Sequence, residues 1–461
     1  MFKKLLPFIL FLFIFNSIKA QNEFITIWKP SNTGNAIVNS APSTSNQIWF
    51  PGKGTNFQAS WEEIGYPAHT GNINNITSTK NFLIDFGVSH NPNPNDATYR
   101  VKITNGNGNF QAIKFPDDVY VSNTLWPLFL GYNGDKQKII EVSQWGNIVW
   151  NTMDWAFSEC TNLDIKAFDA PKLSQVISTF GMFYGCTALY GNSSFNTWNT
   201  SSITNMSHMF ASATQFNQPI GNWDTSHVTN MNWMLHYLDY FNQPIGNWDT
   251  SNVTTMIHML HECYAFNQNL SGWDTSNVTD MRSILGDTHS FNYSLGSWNL
   301  QSVMLAGGMI TGSGLNCENY DNTLIGWANN SLNPSNLTIG NVSPMNYSSQ
   351  YGANARNQLV NNKNWILTGD SYNPECRSEL STSETLIKSD ISIYPNPATD
   401  FIFIKNLKGI NTYKIFDTSG RIVQQNILNT ESIDITALSK GNYILQIVLK
   451  DKTQTFKFIK K

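Results

Sequence analysis

The sequence is poor in charge, and its cations are missing where its pattern is strongest. Only 13% of the 461 residues are Asp, Glu, Lys or Arg, against about a quarter in ordinary globular chains. No Lys or Arg occurs between Lys172 and Arg282, whereas Asp224, Asp239, Asp249, Glu262, Asp274 and Asp280 fall inside that gap. Nucleic-acid binding needs clustered cations to neutralise phosphates, so that class of partner is disfavoured. Catalytic signatures are lacking as well: HExxH, GxSxG and a phosphate-binding glycine loop are all absent. TNGNGNF (Thr104 to Phe110) reads as a glycine-rich β-turn rather than a dinucleotide fingerprint. The expectation is therefore a non-enzyme with no catalytic residue and no cofactor.

Cysteine is scarce, at five residues. Cys160, Cys186 and Cys263 share one phase of a repeat whose other copies hold Ala213, Leu238 and Thr288 there. Apolar substitutes at that phase predict buried thiols rather than ligands. The close Cys or His spacing of a zinc cluster is missing, so no metal is expected. Asp224, Asp249 and Asp274 form a ladder, but one carboxylate per copy falls short of the ~6–8 oxygens that calcium takes. These side chains are expected to accept hydrogen bonds from the Thr-Ser turn that follows each of them, as Asn199 and Asn299 would at the same phase.

Long apolar runs are limited to the N-terminus, where Lys3-Lys4 precedes Leu5 to Phe15 and the small residue Ala20 precedes Gln21. This is the grammar of a cleaved signal peptide covering residues 1–20. The run is shorter than the ~20 residues that span a bilayer, so the mature chain is expected to be secreted. Export to an oxidising space permits a disulfide, and Cys317 and Cys376, outside the repeats, are the predicted pair.

What the sequence does have is self-similarity. Trp198, Trp223, Trp248, Trp273 and Trp298 recur every 25 residues. In step with them run Phe216, Phe241, Phe266 and Phe291, then Val228, Val253 and Val278, then Met206, Met231, Met256 and Met281. A fixed period of this size predicts a stacked array over residues 145–314. Within a copy, FNQPIGNW suits a short extended segment, and VTNMNWML has helical spacing, with Val228, Met231 and Met234 or Leu235 on one side. Thr204, Thr229, Thr254 and Thr279 stand where helix N-caps belong. The expectation is one short strand plus one short helix per coil, a mixed α/β repeat solenoid. Before it, residues 21–144 show alternating runs such as TYRVKI between turns, predicting a small β-sandwich. After it come a cap at 315–377, a Ser/Thr-rich linker at 378–389, and a β-rich domain at 390–461.

The core FNQPIGNWDTSNVTTM resembles the repeats of BspA-like leucine-rich-repeat surface proteins. The cap segments ENYDNTLIGWANN (Glu318 to Asn330) and ARNQLVNNKNWILTGD (Ala355 to Asp370) look like the same family. FITIWK, TYRVKI and VSQWGNIVW are similar to the PKD-type β-sandwich that precedes such repeats, although its Trp-Gly-Asp turn reads Trp61-Glu62-Glu63-Ile64-Gly65 here. YPNPATDFIFI, FDTSGRIV and LSKGNYILQI, with a basic terminus, resemble the C-terminal sorting domain of the type IX secretion system. That resemblance implies a Gram-negative source, export to the cell surface or beyond, and the secretion machinery as partner of residues 390–461.

Two residues after the repeat methionines come His208, Trp233 and His258, and five after come His236 and His261. Variation in size and polarity at these phases predicts an exposed, nearly cation-free aromatic patch that suits a protein or glycan of a host, matrix or neighbouring cell. The leading expectation is a surface-displayed, non-enzymatic adhesion or interaction module. Its alternatives are a glycan-binding or polysaccharide-processing accessory protein and a plain spacer.

Overall fold

A computed structural model describes residues 22–33, 41–115, 120–121, 128–129, 134–376, 392–405, 411–417, 421–428, 430–448 and 453–461. The expected signal peptide and linker lie outside the described residues. The chain divides into two compact units, Met1–Ser378 and Glu379–Lys461.

The first unit opens with a sheet whose neighbours run Asp164–Ile165, Ile139–Gln144, Phe24–Trp28, Tyr99–Thr104, Gly52–Glu63 and Tyr66–Ser78, with Asn109–Ile113 also paired to Gly52–Glu63. TYRVKI alternates buried and half-buried residues, as a strand with one covered face must. The Asp164–Ile165 strand belongs to the first repeat and pairs in parallel with Glu141 and Val142. Sheet and repeats are thereby one hydrogen-bonded structure, and a single core runs from Phe24 to Leu367.

The repeats correct the expected mixed α/β repeat solenoid. Between residues 166 and 316 the chain is turns joined by single-residue parallel bridges and one 3-10 turn, and the α-helices of the described residues are two, both later in the chain. Asn205 bridges to Asn230, Asn230 to Thr255, and Thr255 to Asp280. The reason lies in the backbone. His208, Trp233, His258 and Ser283, and four residues on Ser212, Tyr237, Glu262 and Asp287, hold positive φ between 49° and 61°. A right-handed helix cannot continue through such residues. Alternate N–H groups, theirs among them, turn to the neighbouring copy: Trp233 N donates to Ile257 O, Leu235 N to Met259 O and Tyr237 N to His261 O, at 2.8 to 3.1 Å. The residues between them close local turns, as Met234 N does on Met231 O. The apolar periodicity of VTNMNWML is thus the inward face of a chain of turns. The threonines are not N-caps either, since Thr254 donates through both N and Oγ1 to Thr229 O, and Thr279 does the same to Thr254 O.

Side chains repeat the same contact between copies. From Trp223 onward the ladder's indole N–H groups reach a carbonyl of the preceding copy: Trp223 to Phe195, Trp248 to Ile220, Trp273 to Ile245 and Trp298 to Leu270. Thr225 and Thr250 donate to Asp249 O and Asp274 O, each at 2.9 Å. Asn242, Asn267 and Asn292 each donate from the backbone to the side chain of the asparagine 25 residues earlier. The phenylalanines from Phe216 to Phe291 stack with centroids 6.0 to 6.3 Å apart and interplanar angles of 9° or less. Asp224, Asp249 and Asp274 accept from the N–H of Ser226, Ser251 and Ser276, the turn bond expected for them.

Two helices follow, α1 (Cys317–Asn329) and α2 (Gln350–Asn357). Asn316 caps α1 by accepting from Asn319 N, and Ser349 caps α2 by accepting from Gly352 N. Helix α1 lies tight on the last copy because a Cβ on Gly326 would stand 2.2 Å from Gly296 O, and Trp327 donates to Leu295 O. Arg356 grips Asp370 through two bonds of 2.7 Å, while Tyr320 donates to the same carboxylate. A disulfide joins Cys317 to Cys376, with a Cα separation of 6.1 Å.

The second unit holds a three-stranded sheet, ordered Ser392–Tyr394, Phe401–Lys405 and Ser432–Asp434. Its four-stranded sheet is ordered Ile422–Leu428, Asn411–Phe416, Gly441–Val448 and Thr453–Lys460. Ile402, Ile404, Ile415, Ile433, Leu445, Ile447 and Phe458 share its core.

Trp248→Phe keeps an aromatic ring but removes the indole bond to Ile220 O, which Trp223 N still serves at 3.2 Å, and is expected to cost about 0.5–1.5 kcal/mol in equilibrium denaturation. Trp198→Phe is expected to cost less, because the Trp198 indole N–H has no hydrogen-bond partner to lose.

Candidate functional site

The described residues hold two constellations of titratable groups worth weighing. In the first sheet, the buried Glu63 accepts from Ser89 Oγ at 2.6 Å, His90 N at 2.8 Å and Asn91 N at 3.0 Å, and meets His69 Nδ1 at 2.5 Å. Burial alone raises its pKa, yet hydrogen bonds led by Ser89 and His69 outweigh that and hold the carboxyl at about 2. Serine and histidine both bond to the carboxylate rather than to each other. The carboxylate acts as a tie between the Glu63 hairpin and the segment from Ser89 to Asn91.

The second constellation is the histidine-tryptophan group of the repeats. All five residues of the expected patch come together. His208 and Trp233 stack at 5.8 Å, Trp233 and His258 at 4.1 Å, and His236 and His261 at 5.2 Å. His258 meets His261 edge-on at 4.8 Å, and Trp233 meets His236 the same way at 4.6 Å. The expected exposure is corrected, however: His208 is 9% exposed, Trp233 8% and His236 2%, and only His258 and His261 are half-buried. Copies in register set equivalent residues one strand spacing apart, about 5 Å, so Trp233 covers His208, His258 covers Trp233 and His261 covers His236.

Burial disfavours the charged imidazolium, and it lowers the pKa of His208 and His258 to about 4 and that of His236 to about 3; that of His261 is lowered too, burial again being the main cause. The group is neutral near pH 7. Glu262 stands beside it, with Oε1 at 3.9 Å from His261 Nδ1, and Asp287 Oδ2 lies 3.7 Å from His261 Nε2. One ligand atom from each of His236, His261 and Glu262 falls within 4.8 Å of the others. Reading the sequence for close ligand spacing misses this group, since the repeat brings together residues 25 apart. The signal available was the shared phase of His236 and His261.

The surface beside this group carries aromatics that the sequence reading missed. Tyr237 and Tyr264 are each 38% exposed, with ring centroids 6.4 Å apart, and exposed His289 lies 5.5 Å beyond Tyr264. The three free cysteines are buried. Burial raises the Cys263 thiol to about 12, and its Sγ lies 2.9 Å from Leu235 O. Thr288 fills the same phase and donates likewise to Leu260 O, so the thiols act as core hydroxyl equivalents.

Because His208 is held neutral when folded and titrates near 6.5 when unfolded, the unfolded chain binds the extra proton between those values. Its contribution to stability is therefore expected to fall as pH drops from about 6.5 to about 4. Nuclear magnetic resonance titration is expected to show the His208 ring unprotonated down to pH 5.

Comparison with known proteins places these features. Residues 151–244 and 220–327 match the family described as "Mycoplasma protein of unknown function, DUF285". No curated protein matches the chain. A solved structure of PorZ, an essential bacterial surface component of the type-IX secretion system of Porphyromonas gingivalis, is similar at 23% identity with a TM-score of 0.15. The likeness covers 18% of this chain and spans 12% of that one. Residues 392–461 match the "Secretion system C-terminal sorting domain", which indicates export by type IX secretion to the cell surface or the extracellular space.

Proposed function

We propose that the exported chain is a non-enzymatic interaction module that presents the aromatic edge of its repeats to a protein partner at the cell surface. The observation that carries this reading is the exposed row of Tyr237, Tyr264 and His289, set at 6.4 and 5.5 Å by the register of the copies. Half-exposed tyrosines offer large apolar area with a polar tip, the composition favoured at recognition surfaces. The row sits on a backbone fixed by hydrogen bonds from copy to copy, so little ordering entropy is lost on binding. The stretch from 173 to 281 holds no Lys or Arg, which suits a basic or neutral partner over an acidic one. Export through residues 392–461 brings the module to such partners.

The full chain is expected to bind selectively on an array of matrix and cell-surface proteins, and Tyr237→Ala/Tyr264→Ala is expected to weaken that binding about tenfold or more. Selective binding to glycans instead would turn the reading to a glycan-binding accessory protein. Silence on both, or binding unchanged in the double variant, contradicts it.

A further inference from the structure

We infer that His236, His261 and Glu262 form a metal-ion site that takes a borderline divalent transition ion, Zn²⁺ foremost. Two imidazoles and one carboxylate are a donor set that such ions accept, and hard oxygen-seeking cations such as Mg²⁺ and Ca²⁺ do not favour. The three ligand atoms lie within 4.8 Å of one another. Ligand atoms about 2.0–2.2 Å from zinc are reached from there by side-chain rotation, chiefly of the long, half-buried Glu262.

The local sequence makes room for these rings. His236 and His261 occupy one phase of adjacent copies, and the residues of that phase on either side are Ala211 and Gly286. A Cβ on Gly286 would stand 2.7 Å from His261 Cδ2, so the glycine is what lets the His261 ring lie where it does. The two imidazoles are therefore flanked by small residues rather than continued by further rings.

The surrounding charges suit an ion. His261 Nδ1 is buried without a hydrogen bond and faces Glu262 Oε1 at 3.9 Å. Its other nitrogen faces Asp287 Oδ2 at 3.7 Å, the carboxylate position that orients a metal-bound histidine from behind. No protein cation competes for Glu262 from the preceding stretch, since 173–281 lacks Lys and Arg. The next cation, Arg282, is engaged on Asp280 through Nε at 3.0 Å and Nη2 at 2.8 Å. Half-buried His261 and Glu262 leave the site open on one side, where water or a donor from another molecule completes the coordination. The site stands independently of the tyrosine row.

The test is calorimetric titration of the full chain, stripped with chelator, with ZnCl₂. One high-affinity ion per chain is expected. Glu262→Gln and His261→Ala are each expected to weaken it about tenfold or more, whereas His227→Ala, at an exposed histidine outside the group, is expected to leave it unchanged. A thermal melt provides the second readout: zinc is expected to raise the midpoint of the parent protein and not that of Glu262→Gln, a partly exposed change that preserves the fold. Absence of zinc binding, or equal affinity in His261→Ala/Glu262→Gln, overturns the inference.

Discussion

The structure depends on hydrogen bonds that each repeat can make only to its neighbour. In a helix every interior N–H is satisfied a turn away, within the same element. Here Trp233, Leu235 and Tyr237 donate to Ile257, Met259 and His261, so a copy standing alone leaves those groups without partners. A buried polar group left unpaired costs more than a made bond contributes. Each copy is therefore stable only when its neighbours are present and in register, the nearest-neighbour coupling of repeat proteins. The first sheet supplies the neighbour at one end through Asp164–Ile165, and α1 meets the last copy through Trp327 and Gly326.

Much of this was legible in the sequence. The 25-residue phases of Trp, Phe, Val and Met became the buried ladders, because a constant period can only mean a constant position in each copy. The turn bonds of Asp224, Asp249 and Asp274 followed from Asn standing in for Asp. The secondary structure inside a copy was not legible. Apolar residues three apart fit a helix and fit equally a run of tight turns, and the left-handed residues that decide between them include Trp233, Tyr237 and Glu262. None of these is the glycine or asparagine that normally marks such a conformation. Bonds to the next copy hold them there, and a trace is left in the sequence at the end of the array, where Gly308 and Gly312 fill the same two phases with positive φ.

The candidate sites show the same division. Phase analysis gathered His208, Trp233, His236, His258 and His261 into one group, and the rings do meet. It misjudged their exposure because a residue's cover comes from 25 positions away rather than from its own segment. For the same reason it passed over Asp287 as a neighbour of His261, and over Tyr237 and Tyr264 as the aromatics that reach solvent. The tail was easier to recognise, since its motifs are contiguous and its strands pair within one small unit.

The central claim, that register between copies holds the repeats together, is tested most directly by paired deletions. Removing residues 226–250 excises one full period, because Thr254 bonds Thr229 and Thr279 bonds Thr254 at a separation of 25. Removing residues 226–249 takes out one residue fewer and displaces every ladder after the cut. Denaturant unfolding followed by tryptophan fluorescence is predicted to remain a single cooperative transition in the first variant and to lose its cooperativity in the second. Equal behaviour of the two deletions would contradict the account.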